Sequence, residues 1–151
     1  MEPSHALQSM GGLLAPLRTH PWAYPALEVV HIFGIALLVG NLVLLEFRVW
    51  GSAALLPVRV LARLALSLAL AGFALVGASG LLMFASQASE LLANRAFTLK
   101  MLLLLLAGCN AAWFHGRDSL DKLDAFAKAQ TLASTLIWIA VMACGRAIAY
   151  V

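Results

Sequence analysis

Long apolar runs alternate with short polar connections along this chain. Four such runs cover about residues 27–47, 64–85, 97–114 and 131–150. Each is close to the ~20 residues that carry a helix across ~30 Å of hydrocarbon at about 1.5 Å per residue. Backbone groups in lipid must bond within their own segment, so every run is expected to be helical. The connections Arg48–Arg63, Ser86–Ala96 and His115–Gln130 are short, which predicts antiparallel neighbours. The expected fold is therefore an all-α membrane protein, a four-transmembrane-helix up-down bundle over residues 27–151. Ahead of it, Met10, Leu13, Leu14 and Leu17 recur at helical spacing, and Pro21 and Pro25 then interrupt beside Trp22 and Tyr24. This pattern predicts a short N-terminal interfacial helix and an aromatic anchor within residues 1–26. Asp118, Asp121, Lys122, Asp124 and Lys128 in the last connection read as a solvated helical extension. Ala65-xxx-Ala69 and Ala74-xxx-Ala78 in the second run allow close backbone approach, within the bundle or to a second copy or other membrane subunits.

Composition agrees with the pattern. Hydrophobic residues make up 63% of the chain and charged residues 11%, against roughly 25% charged in a soluble domain. The net charge of +3 comes from Lys and Arg placed mostly in the connections, the arrangement of topology determinants and lipid-headgroup contacts. No basic stripe interleaved with aromatics is present, which argues against nucleic acid as a partner. Cys109 and Cys144 both lie in apolar runs, without CxxC or CxxCH spacing, so covalent haem attachment and zinc ribbons are not expected. The start of the chain lacks the pattern of a signal peptide, and the first run is expected to serve as its own insertion signal. The first and third connections carry Arg48, Arg59, Arg63, Arg117, Lys122 and Lys128, whereas the other side carries Arg18, Arg95, Lys100 and Arg146. That bias predicts a multi-pass protein of the bacterial inner membrane with both termini on the non-cytoplasmic side.

Ionisable groups inside membrane helices are costly and are functional candidates by default. The set here is Glu28, His31, Asn41, Glu46, Lys100, Asn110, His115 and Arg146, taking the strongly polar Asn residues with the ionisable ones. Depth sorts them. His31, Lys100 and Arg146 each fall about one turn inside a helix end, on the side of the termini, and Ser79 and Gly80 reach the same level on the second helix. Four helices thus converge on one layer. Glu28 and His31, three apart, share a face, and Gly34 one turn on is expected to leave room for something flat. A neutral imidazole is a good iron ligand, and a ligating His passes its other N–H to a nearby acceptor, for which Glu28 is the candidate. Lys100 and Arg146 are then candidates to pair with the propionates of a haem b. His20, just before the first helix, is a candidate second axial ligand. The plainer readings are an interfacial hydrogen-bonding role for His31 and snorkelling of Lys100 and Arg146 to headgroups. His115 belongs to the opposite end of its helix and reads as a surface residue. Glu28-x-x-His31 is half of a di-iron motif whose other half is missing, and Met83 and Met101 read as packing residues more readily than as copper ligands.

The stretch Trp22-Ala-Tyr-Pro25-Ala-Leu-Glu28-Val-Val-His31-Ile-Phe-Gly34-Ile-Ala-Leu-Leu-Val-Gly40, with Glu46-Phe-Arg48 after it, resembles the first helix of an uncharacterised bacterial four-helix membrane family. The close, Cys144-Gly145-Arg146-Ala-Ile-Ala-Tyr150, resembles that family's ending. A looser likeness is to the haem-binding bacterial protoporphyrinogen oxidase and to copper-resistance D membrane domains, both with a His early in one helix. The oxidase also has a Lys early in a later helix, like Lys100 in Thr98-Leu-Lys100-Met, and a His closing that helix, like His115. The resemblance implies haem b ligation by His31. The start of the fourth helix departs from the oxidase, with Ala127-Lys-Ala-Gln130-Thr-Leu where an Asn-Glu-x-Pro-like segment is expected.

The expected function is that of a membrane haem b protein of the cytochrome b type, moving electrons between quinone and a partner or serving as a subunit of a larger redox complex. No catalytic residue set is assigned. Two other readings stand beside it. One is copper or other ion transport, along a polar line extended from His31 by Asn41, Glu46 and Asn110. The other is a cofactor-free structural subunit.

Overall fold

The computed structural model describes residues 20–150. Six helices follow in order: α1 (Ala23–Val49), α2 (Val58–Ser86), α3 (Ala88–Ala93), α4 (Arg95–Gly116), α5 (Ser119–Lys122) and α6 (Ala125–Ala147). Helices α1, α2, α4 and α6 are each long and apolar enough to cross a membrane, and they form an all-α up-down bundle. The expected interfacial helix over Met10–Leu17 lies outside the described residues.

The helix ends differ from the hydropathy pattern for local reasons. Helix α1 begins at Ala23 and takes in Tyr24 and Pro25, because proline fits the first turn, where its missing N–H has no helical partner. The boundary expected at residue 27 therefore falls earlier. The chain leaves α1 through Gly51 at φ +106, a left-handed conformation that suits glycine. Arg48 folds over this turn and donates to the carbonyls of Leu56 at 2.8 Å and Ala54 at 3.2 Å. Pro57 then starts α2, so Arg59 and Arg63 lie inside a helix. Asn94 caps α4 by accepting from the Phe97 amide at 3.1 Å. The expected helical extension after α4 is broken instead. Asp118 and Leu123 both take left-handed backbone conformations and isolate the single turn of α5. Asp124 restarts the chain as α6 by accepting from the Ala127 amide at 2.8 Å.

Packing is tightest between α1 and α2. A Cβ added to Gly72 would lie 2.6 Å from the Leu38 amide nitrogen and 2.7 Å from the Gly34 carbonyl oxygen. The two backbones therefore touch. The buried face of α2 carries Ala62, Ala65, Ala69, Gly72, Ser79 and Ser86, small residues of the kind that drive helix association where hydrophobicity cannot. Ala65 and Ala69 belong to this face, whereas Ala74 and Ala78 turn outward. Helix α4 packs on α6, and α6 meets α1, while α2 and α4 have little backbone contact and meet through the stacked rings of Phe84 and Phe97 at 5.5 Å. The outer faces are apolar, as Leu70, Phe33 and Leu105 show.

At the end away from the termini, Trp50 Nε1 donates to Thr131 Oγ1 at 2.8 Å and ties the end of α1 to α6. Arg59 pairs with Asp121 at 2.8 Å and Arg117 with Asp124 at 2.7 Å.

Gly72→Val should lower the unfolding midpoint in mixed micelles by an amount equivalent to about 1–3 kcal/mol or more, because the obstructing atoms are backbone. Gly77→Ala, where an added Cβ meets nothing within 4 Å, should leave it unchanged or raise it. Acid should act through Asp124. The Arg117 hydrogen bond, then the Ala127 amide, hold its carboxyl below the usual range. Its contribution is complete above pH ~4, the unfolded value, and fades as pH falls through the depressed folded one. Titrating the α6 backbone signals by NMR below pH ~4 should show the loss, and Asp124→Asn should flatten it.

Candidate functional site

His31 lies on the α1 face that meets α2. Its Nδ1 is 2.9 Å from Ser79 Oγ. That hydroxyl donates to the Leu75 carbonyl, one helical turn back, at 2.6 Å. A serine hydroxyl has one hydrogen. With it engaged there, Ser79 receives the Nδ1–H of His31. This chain of bonds assigns the proton of the neutral imidazole to Nδ1 and leaves the Nε2 lone pair free. Gly80 makes the room: a Cβ there would stand 3.3 Å from His31 Cε1.

Lys100 reaches the same layer from α4. It is half-buried and packs on α6, with Nζ 3.5 Å from where a Gly145 Cβ would lie. It is close enough to His31 to act on it electrostatically, and the Cys144 thiol is beside it. Among the described residues no carboxylate pairs with it. A partly buried ammonium without an anion is costly in a membrane span. The layer therefore combines an imidazole whose free nitrogen can bind a metal or a proton with a cation suited to a carboxylate or another anion.

Other expected members fall elsewhere. Glu28 is exposed. Three residues turn a helix by about 300°, so its side chain lies about 60° around α1 from His31, and Ser79 on the neighbouring helix takes the role expected of it. Gly34 does not leave a gap. An added Cβ would meet Val76 Cγ2 at 2.9 Å and the Gly72 carbonyl at 3.0 Å, because α2 itself fills that space. Arg146 is in the last turn of α6 rather than a turn inside it, since α6 ends at Ala147. It is exposed, lies over the Tyr150 ring at 4.9 Å and donates to its hydroxyl. Gly145, not Arg146, faces Lys100. His20 sits before α1 and accepts from the Trp22 amide at 3.3 Å, while His31 is about 12 Å further along the helix axis at 1.5 Å per residue. The structure thus brings together His31, Ser79, Gly80 and Lys100, and leaves Glu28, Arg146 and His20 outside.

The polar line from His31 to the far end is interrupted. Asn41 turns back to its own helix and donates to the Leu37 carbonyl at 2.7 Å. Leu38 and the Gly34–Gly72 contact occupy the interval. Glu46 and Asn110 instead belong to a second, separate polar group at the end away from the termini. Glu46 accepts from Thr135, and Asn110 donates to the Gln130 carbonyl at 3.0 Å. Ser134, Thr135 and Gln130 have no outstanding signal in the sequence, because hydroxyl and amide residues are common at helix starts. Both cysteines are free thiols. Among the described residues no group of three or more His, Cys, Asp and Glu side chains is arranged to hold a metal. Comparison with known protein families, curated proteins and solved structures gave no match.

Ser79→Ala should destabilise the folded protein by about 1–3 kcal/mol, since it strands the Nδ1–H of His31 in the α1–α2 interface. Arg146→Ala should leave the midpoint unchanged. Unfolding in mixed micelles reads both.

Proposed function

We propose that this chain is a membrane haem b protein of the cytochrome b type, acting in electron transfer alone or within a larger redox complex. The observation that carries the reading is the pairing, in one layer, of the free Nε2 of His31 with the unpaired ammonium of Lys100. A ligating imidazole is normally held through its other N–H, and Ser79 holds that N–H here. Haem propionates are anions, and Lys100 supplies the cation one of them needs. The donor chemistry fits a haem with a single protein axial ligand. The Gly34 flank offers no space for the macrocycle, because α2 fills it.

A bound haem would supply a one-electron couple. The chain's own residues do the rest. Ser79 fixes the tautomer and orientation of His31. Lys100 offers positive charge near the ring. The apolar residues of α1 and α2 keep the His31 side of the layer dry. The protein belongs to the bilayer, and we further infer a bacterial inner-membrane location with both termini non-cytoplasmic, from the bias of Lys and Arg toward the Arg48–Arg63 and His115–Gln130 connections.

Protein made in haem-replete cells should show a Soret band. His31→Ala should abolish or grossly alter it, and Lys100→Met should weaken haem retention. His115→Ala, at the other end of α4, should leave it unchanged. A colourless parent, or a His31→Ala spectrum identical to the parent's, rejects the haem.

A further inference from the structure

A cavity of about 320 Å³ lies among α1, α2, α4 and α6, in the half of the bundle away from His31. Toward the middle of the membrane its walls are apolar, with Leu38, Phe73, Leu104 and Trp138. Toward the outer end its lining is polar, with Glu46, Asn110, Gln130 and Ser134. This is the ordinary build of a small-molecule site: apolar walls with a few convergent polar groups.

The polar end sets the chemistry of the occupant. Glu46 is 6% exposed, and neither ion pair among the described residues involves it. Gln130 is 5% exposed. Its Oε1 receives the Ser119 hydroxyl at 3.0 Å. Arg117 Nη1 also donates to that hydroxyl at 3.5 Å. With Oε1 so engaged, Nε2 is buried without a partner among the described residues. A carboxylate that accepts and an amide N–H that donates therefore meet in one cavity. A bare cation satisfies only the first and an anion only the second. An acyl chain satisfies neither. A ligand with both a hydroxyl and a ring oxygen on a flat apolar body satisfies both.

The route in is through the membrane. Helices α2 and α4 both line the cavity, α2 through Leu66 and Phe73 and α4 through Leu104 and Ala107. Leu70 and Phe73 of that lining are also exposed on the apolar outer face, which suits a lipid-soluble ligand.

We propose that this cavity is a headgroup site for a quinol, with the Glu46 carboxylate accepting from one ring hydroxyl and Gln130 Nε2 donating to the other ring oxygen. As the electron donor for a haem, such a ligand rests on the redox reading above. As a binding site it stands on the cavity alone.

The test is binding, read on the full chain in nanodiscs with and without added haem. A short-chain benzoquinol, kept reduced, is titrated while tryptophan fluorescence is followed, since Trp138 lines the cavity. Saturable quenching is expected, with most of its amplitude lost in Trp138→Phe. Glu46→Gln and Gln130→Leu should each weaken binding about tenfold or more, the worth of one hydrogen bond to a charged or buried group. His31→Ala should bind as the parent does. Quenching that never saturates, as in protein-free lipid, overturns the proposal. So does saturable binding that survives Glu46→Gln and Gln130→Leu alike. Binding in a colourless protein would reject the haem and keep this site, and a haem protein that fails to bind would do the reverse.

Discussion

Gly34 and Gly72 bring the backbones of α1 and α2 into direct contact, and the rest of the bundle is arranged around that crossing. Between helices in lipid there is no hydrophobic gain to draw on, so close van der Waals approach has to provide the association. The contact also sets register. In an antiparallel pair, moving three residues back along α1 from Gly34 moves the partner forward along α2 from Val76 to Ser79. His31 therefore arrives opposite Ser79 and Gly80. The tautomer of the imidazole, and with it the free Nε2, is a consequence of that register.

Two polar layers result, one near each membrane edge, with an apolar middle between them. The layer at the terminal side is sparse and carries an unpaired ammonium. The opposite layer is denser, and most of its groups are satisfied within the fold: Asn110 by the Gln130 carbonyl, Thr131 by Trp50, and the Gln130 oxygen by Ser119. Outside it the exposed Arg59–Asp121 pair adds little stability. Arg117 is better held, against both Asp124 and the Phe126 ring at 4.5 Å. Among the described residues, Lys100, His31 Nε2 and Gln130 Nε2 are left without partners, and Glu46, though it accepts from Thr135, has no counter-ion; both functional readings are built on them.

Much of the fold was legible in the sequence because hydropathy is a one-dimensional signal. The four spans and their up-down order follow from run lengths and short connections. The ends were less legible, since Pro25 is compatible with a first turn and Arg59 and Arg63 can lie in a helix that extends past the hydrocarbon. The break at Asp118 and Leu123 has no hydropathy signature at all. For the site, depth along each helix grouped His31, Ser79, Gly80 and Lys100 before any contact was known. Depth also grouped Arg146 with them, because the end of α6 was placed at Tyr150 instead of Ala147.

What the amino-acid order determined by itself was axial: which segments cross, in what direction, and at what level each polar residue sits. What only the tertiary structure decided was rotational. Whether Glu28 or Ser79 faces His31, whether Gly34 opens a space or is filled by Val76, and whether Gly145 or Arg146 faces Lys100 all depend on how each helix is turned about its axis. Position along a helix follows from a fixed rise per residue. Its rotation follows from contacts with other helices, and in these nearly all-round apolar segments no single face is marked in advance.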